Sequence, residues 1–265
     1  MAPRHTLPTR PHVTLQARLT PLVAALAACW PLWVAGATRP PAPNAVPVPT
    51  AGWRVYGNGS AAPVNTPNGQ GGIDQKIRQD SQRAIYQWQS FDIGANSSVT
   101  FDMALKNSSA LNRLLGSTAP SQIFGKLTAT NGGEIYLINA NGILFGRGAQ
   151  VNTGSLVASA LNLSDNEYLS GLTNSLLYDK SKPAFQYDGA AAEFVDSKNF
   201  VRVDEGATIT TANGGRVFLF AKRVENAGQI STPGGQAMLA AGGQVYLQPP
   251  SDQSRPMAKL WMMPM

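Results

Sequence analysis

Along the C-terminal third of the chain, short apolar alternations are separated by paired glycines. Gly206-Ala-Thr-Ile209-Thr-Thr-Ala-Asn-Gly214-Gly215-Arg-Val217-Phe-Leu219 is followed by Gly228-Gln-Ile230-Ser-Thr-Pro-Gly234-Gly235-Gln-Ala237-Met-Leu239. An earlier copy runs Gly125-Lys-Leu127-Thr-Ala-Thr-Asn-Gly132-Gly133-Glu-Ile135-Tyr-Leu137. Each copy predicts a short strand, a glycine corner and a second strand. Alternation with period 2 sets Ile209, Val217 and Leu219 on one face, and paired glycines allow positive φ at a sharp corner. One such unit cannot bury its apolar face alone, so units must stack.

The glycine pairs at 214 and 234 are 20 residues apart. Residues 52–248 read at that period predict about ten rungs of an all-β parallel β-helix, with about 4.8 Å of rise per rung. A β-sandwich is the alternative, because it too has many short strands joined by turns. Two stretches break the rhythm. Ile73 to Trp88 is more charged and predicts a short helix or loop. Asn162 to Phe200, rich in Tyr, Asp and Ser, predicts an excursion from the rod, the kind of segment that often carries a solenoid's recognition surface.

The N-terminal 37 residues have another pattern. Arg4, Arg10 and Arg18 precede an apolar stretch from Leu22 to Ala37 that ends in Ala35-Gly36-Ala37. A basic start, an apolar middle and small residues at Ala35 and Ala37 predict a secretory signal peptide cleaved after Ala37. The stretch is shorter than the roughly 20 residues that span a bilayer. Leu26-Ala27-Ala28-Cys29 leaves lipidation at Cys29 as the alternative. Residues 38–51 are proline-rich and predict an extended, unpacked linker.

Composition narrows the chemistry. The net charge is +6; without the three arginines of residues 1–37, 18 basic residues face 15 acidic ones. No basic run follows, which removes the main support for a nucleic-acid partner. Cys29, His5 and His12 are the chain's only cysteine and histidines. The body therefore has no thiol nucleophile, histidine base or His/Cys metal site, and no cofactor is expected. Asp165 with Glu167, and Asp204 with Glu205, are the acidic pairs that a polysaccharide-degrading β-helix would need. Adjacent residues on a strand point to opposite faces, and both pairs read better as solvated charge than as catalytic groups. Trp88, Phe91, Phe101 and Phe124 read as core at one end of the rod, with carbohydrate stacking as the sharper alternative.

Several runs in order carry a resemblance. These are Ala84-Ile-Tyr-Gln-Trp88-Gln-Ser-Phe91-Asp-Ile93-Gly94; Ala110-Leu-Asn112-Arg113-Leu-Leu-Gly116; Gln122-Ile123-Phe124-Gly125; and Gly133-Glu-Ile135-Tyr-Leu137-Ile138-Asn139-Ala-Asn141-Gly142-Ile143-Leu-Phe145-Gly146. Together they resemble the two-partner secretion domain of the filamentous-haemagglutinin type over about residues 52–248. The resemblance implies a right-handed parallel β-helix with an N-terminal cap, at the start of a larger exoprotein. It implies a non-enzymatic secretion signal, recognised by an outer-membrane β-barrel transporter through its periplasmic domains. The chain would then be exported to the cell surface or medium, in an adhesin or haemagglutinin context. The family's Asn-Pro-Asn-Gly motif falls on Asn139, Ala140, Asn141 and Gly142, with alanine in place of proline. Asn139, Asn141, Gly142 and Ile143, which taken alone read as a tight structural turn, are by the resemblance the expected secretion motif; Trp88, Phe91, Asn112 and Arg113 are the expected N-terminal motif and core. A surface module that binds a host glycan or receptor is the second reading. After Pro249-Pro250 the chain has a short tail, residues 249–265, where a passenger is expected to be absent or truncated.

Overall fold

A computed structural model describes residues 39–57, 62–114, 116–172, 181–188, 198–248 and 259–261. All of them belong to the compact unit formed by residues 38–265. The signal-peptide and Cys29 readings, with Ala35 and Ala37, lie outside the described residues.

Strands coil into a parallel β-solenoid with three faces. The broad face has seven strands in the order Val48–Tyr56, Arg83–Ser90, Ser109–Leu114, Glu134–Ile138, Ser155–Ser159, Arg216–Ala221 and Gln236–Ala241. A second face, also of seven strands, runs from Val64–Pro67 through Ile73–Gln79, Ser98–Met103, Lys126–Ala129, Gln150–Thr153 and Thr208–Thr211 to Gln229–Ser231. A narrow third face joins Ser121–Ile123, Ile143–Phe145, Phe200–Val203 and Arg223–Asn226. Within these three faces pairing is parallel except at the first strand of each long face; outside them, Phe185–Gln186 and Lys259–Trp261 lie antiparallel to Gln244–Gln248. Val48–Tyr56 lies antiparallel to Arg83–Ser90, and Val64–Pro67 lies antiparallel to Ile73–Gln79. These antiparallel pairs cap the rod's N-terminal end. The parallel ladders exclude the sandwich.

The broad face shows about six turns where a uniform 20-residue period predicted ten. Arg83 pairs with Ser109, Ser109 with Glu134, Glu134 with Ser155, and Arg216 with Gln236, steps of 26, 25, 21 and 20 residues. Between Leu156 and Val217 the step is 61 residues, because that turn carries the excursion. Of these steps, two have the short period from which the number was drawn, Glu134 to Ser155 and Arg216 to Gln236.

Ile73 to Trp88 forms two strands, not a helix or loop. Ile73–Gln79 alternates its burial, so Lys76 and Arg78 face water while Gln75, Ile77 and Gln79 face the core. The buried glutamine side chains donate to main chain: Gln75 to the Pro47 carbonyl at 2.9 Å and Gln79 to that of Ser109 at 2.9 Å. Strand polarity here hid a burial pattern that main-chain acceptors make affordable. The proline-rich stretch, expected to be unpacked, is joined to the rod over its described part. Gly94 N–H donates to the Ala45 carbonyl and Asn96 N–H to that of Pro43, each at 2.9 Å. Prolines retain their carbonyls as acceptors, and that is the half of the bond this edge uses.

Each glycine pair serves two needs. Gly132, Gly214 and Gly234 have positive φ. Their partners are required by crowding: a β-carbon on Gly215 would lie 2.1 Å from the Gly154 carbonyl oxygen. Inside the coil, Ile77, Phe101, Ile135, Leu156, Val201 and Leu219 belong to one continuous core. A second cluster lies on the outer side of the broad face, where Leu161, Leu163, Tyr168, Phe185, Val245 and Leu247 cover Ile85, Leu111, Val157 and Phe218.

Candidate functional site

Asn139 to Gly142 form a tight turn at the corner between the broad and narrow faces. Gly142 N–H donates to the Asn139 carbonyl at 2.9 Å, closing the turn. The Asn139 side chain, 1% exposed, holds it from inside. Its Oδ1 accepts from Asn141 N–H at 3.0 Å, and its Nδ2 donates to Ala119 O and Ser121 Oγ, each at 3.1 Å. Asn141 Nδ2 reaches back to the Ser117 carbonyl at 2.7 Å. One asparagine thus shapes the turn and the other ties it to the preceding coil, a use of short amide side chains that suits turns generally. Gly142 has φ 118°, and a β-carbon there would meet the Phe200 ring at 2.7 Å. Ile143 is fully buried in the core.

Ala140 stands exposed at the second position of this turn. Proline is favoured at that position because its fixed φ matches. The turn closes with alanine, since Asn139 and Gly142 supply its side-chain bond and its positive φ.

The next coil seals the same corner with a residue the sequence did not single out. Asn199, 3% exposed and with φ 55°, donates to Ala160 O at 2.7 Å and Ala140 O at 3.3 Å. Its Oδ1 accepts from Lys222 N–H at 2.8 Å. The signal was an asparagine directly before the apolar run Phe200-Val201, where αL backbone favours Asn.

The N-terminal motif is brought together with this corner across neighbouring coils. Trp88, Phe91 and Asn112 are each fully buried. Trp88 Nε1 donates to Asn112 Oδ1 at 2.9 Å, and Asn112 Nδ2 donates to Tyr136 O at 3.2 Å. Trp88 packs edge-on against Phe91 at 5.4 Å, and Trp53 from the cap stacks on Tyr86 at 4.7 Å. Trp88, Phe91 and Phe101 are fully buried and have no exposed face for a sugar, whereas Phe124 is half-buried. Past the aromatic cluster, Asp92 Oδ1 accepts from Gln122 N–H at 2.8 Å, and Ile93 N–H donates to Gln122 O at 2.9 Å. Burial pushes the Asp92 carboxyl above its usual range, and the Gln122 bond opposes the shift.

Arg113, next to Asn112, points to the opposite side of the strand. It grips the excursion: Nη1 lies 2.6 Å from Asp165, and Nη2 donates to the Leu163 carbonyl. Asp165 is thus paired while its side chain stays half-exposed, a solvated charge with one partner. Glu167 serves the short helix Asp165–Leu169, whose Ser164 cap accepts from Glu167 N–H at 3.2 Å. The spacing Ser164-x-x-Glu167 is a capping box legible in the sequence. Asp204 and Glu205 form separate surface pairs with Arg202 and Arg147, each at 2.8 Å.

Among the described residues no group of three or more His, Cys, Asp or Glu is placed to hold a metal ion. No helix there is long and apolar enough to cross a membrane.

Comparison with known proteins agrees with this architecture. The solved structure of the HMW1 secretion domain from Haemophilus influenzae superposes with a TM-score of 0.60 at 26% identity, covering 80% of this chain and 48% of that one. Two Heme/hemopexin-binding proteins of Haemophilus influenzae are similar in sequence. One is 39% identical over 104 residues, which is 39% of this chain and 11% of the relative. The other, from strain Rd, is 33% identical over 157 residues, 56% of this chain and 17% of the relative. The matched parts thus span less than a fifth of those relatives. The family described as the TPS secretion domain matches residues 55–261, and the chain belongs to that family, the secretion domains of two-partner secretion exoproteins.

Proposed function

We propose that this domain is the export signal of its exoprotein, read by an outer-membrane β-barrel transporter, and that the 139–142 corner belongs to the surface that is read. One observation carries the reading. The motif turn is held by side-chain amides to Ala119, Ser121 and Ser117 of the preceding coil, while Ala140 stands exposed at its tip. A rigid, outward-facing corner offers a partner a fixed shape without prior ordering. The destination is the cell surface or medium, and the exoprotein's own task is adhesion in a haemagglutinin-like context. The buried Trp88–Asn112 pair supports the corner from the neighbouring coils and meets no partner itself.

The test is export of Asn141→Ala and Asn139→Ala variants from cells that also produce the cognate transporter. Both are expected to reach the medium at a small fraction of the wild-type amount while the purified domains remain folded. Unchanged secretion of both variants would remove the corner from the recognition surface. Unchanged secretion in cells lacking the transporter would remove the transporter from the reading.

A further inference from the structure

A cavity of about 250 Å³ lies between the outer side of the broad face and the excursion. Its wall is built from a column of residues in register, one from each of five successive strands: Arg83, Ser109, Glu134, Ser155 and Arg216. Charged residues alternate with serines, and adjacent strands lie about 4.8 Å apart. The small serines leave notches between the long side chains. Tyr168 fills one of them, its hydroxyl 2.8 Å from Ser109 Oγ. Two residues further along each strand, on the same side of the sheet, Tyr136, Val157 and Phe218 supply a floor. Leu172 and Phe185 lie over it from the excursion, and Leu172 holds a left-handed φ of 54°. That conformation is unusual for a branched side chain, and such strain gathers at binding sites.

Charge on this wall is unbalanced. Arg216 Nη2 lies 3.3 Å from Glu134 Oε1, while Tyr136 donates to Glu134 Oε2 at 3.4 Å. Arg83 Nη1 donates to the neutral Leu169 carbonyl at 3.1 Å. Among the described lining residues, two guanidinium groups face one carboxylate. Burial keeps the Tyr136 and Tyr168 hydroxyls protonated, so they add no charge, and they donate to Glu134 and to the Ala84 carbonyl.

We infer that the cavity binds a compact organic anion: a carboxylate or phosphate monoester on a flat, apolar body. Its anionic end pairs with Arg216, and its body rests on Tyr136 and Phe218. Guanidinium groups match both anions in fork geometry. The volume falls just below that of drug-sized pockets, which suits a ligand on the order of ten non-hydrogen atoms. This inference is independent of the export reading.

The full chain is titrated with benzoate, phenyl phosphate, inorganic phosphate and benzyl alcohol, with binding followed by calorimetry and by shift of the melting temperature. Benzoate or phenyl phosphate is expected to bind and raise the melting temperature, with benzyl alcohol at least about tenfold weaker. The tighter of the two anions identifies the headgroup. Arg216→Gln is expected to weaken binding by about tenfold or more. Glu134→Gln is expected to strengthen it severalfold, because it frees Arg216, and a merely misfolded variant cannot do that. Benzyl alcohol binding as well as benzoate, inorganic phosphate binding as well as phenyl phosphate, loss of binding in Glu134→Gln, or no binding of any probe would each overturn the site.

Discussion

The broad face and the second face are built from strands of one solenoid, yet their burial differs. Ser98–Met103 and Gln150–Thr153 alternate, one side in the core and the other toward water. Ser155–Ser159 is buried at all five positions, and Arg216–Ala221 at all but its first. The difference has a physical cause. The excursion and the strand Gln244–Gln248 return across the broad face and cover its outer side. A sheet covered on both sides reads as a continuous apolar run, and one covered on a single side alternates. A run such as Leu156-Val157-Ala158 in a solenoid strand therefore announces a second layer of chain.

The sharpest way to break this comparison is a charge on each outer side. Phe220→Asp is expected to destabilise the domain by about 3–5 kcal/mol, since it buries an unpaired carboxylate beneath Phe185 of the excursion. Asn152→Asp, exposed on the second face, should stay within about 0.5 kcal/mol of wild type. Urea unfolding of both variants measures the contrast, and equal midpoints would refute the covered layer.

Within the broad face, Trp88→Phe keeps the aromatic packing but removes the donor to Asn112. An unpaired Asn112 Oδ1 in the core is expected to lower stability by about 1–3 kcal/mol. Trp88→Phe with Asn112→Leu should recover much of that loss in a double-mutant cycle. At the corner joining the broad and narrow faces, Ala140→Pro places a matching φ at an exposed turn position. It is expected to add about 0.4–1 kcal/mol through the unfolded chain, read as a higher urea midpoint.

The smallest effect belongs to the second face's outer surface. Asp102 lies 2.9 Å from Lys76 and 3.1 Å from Arg78, and the Lys76 bond leads in holding its carboxyl below the usual range. Its folded value is depressed, so its contribution is fully present above the unfolded value of about 4. That contribution is lost as pH falls from there through the folded value. Exposure and screening hold it to about 0.2–1 kcal/mol. Asp102→Asn should flatten that part of a stability–pH profile, whereas the profile around the buried Val157 strand should not respond.

Legibility of the site followed the same division. Asn139, Asn141 and Gly142 were readable because turn chemistry is local: an amide two residues from its acceptor and a glycine with φ 118° need no distant partner to be recognised. Trp88 and Asn112 were readable as core, but their 2.9 Å bond depends on the register between two strands. Asn199 was missed because the corner it closes is reached only after the excursion returns. The partner of Asp165 was not readable because Arg113 lies some fifty residues away, on the outside of a strand whose inside holds Asn112. The number of turns was overestimated because one period was taken from the most regular coils.

By itself the amino-acid sequence determined that this chain coils: alternation and twinned glycines are local instructions, repeated until stacking is the only way to bury the apolar side. It determined the tight turn at Asn139 to Gly142 for the same reason. Only the tertiary structure decided how many coils there are, which face carries a second layer, and where Arg83, Glu134 and Arg216 line up to form a cavity. Those outcomes depend on register between strands 20 to 61 residues apart, and register is set by the whole stack, where no single segment encodes it.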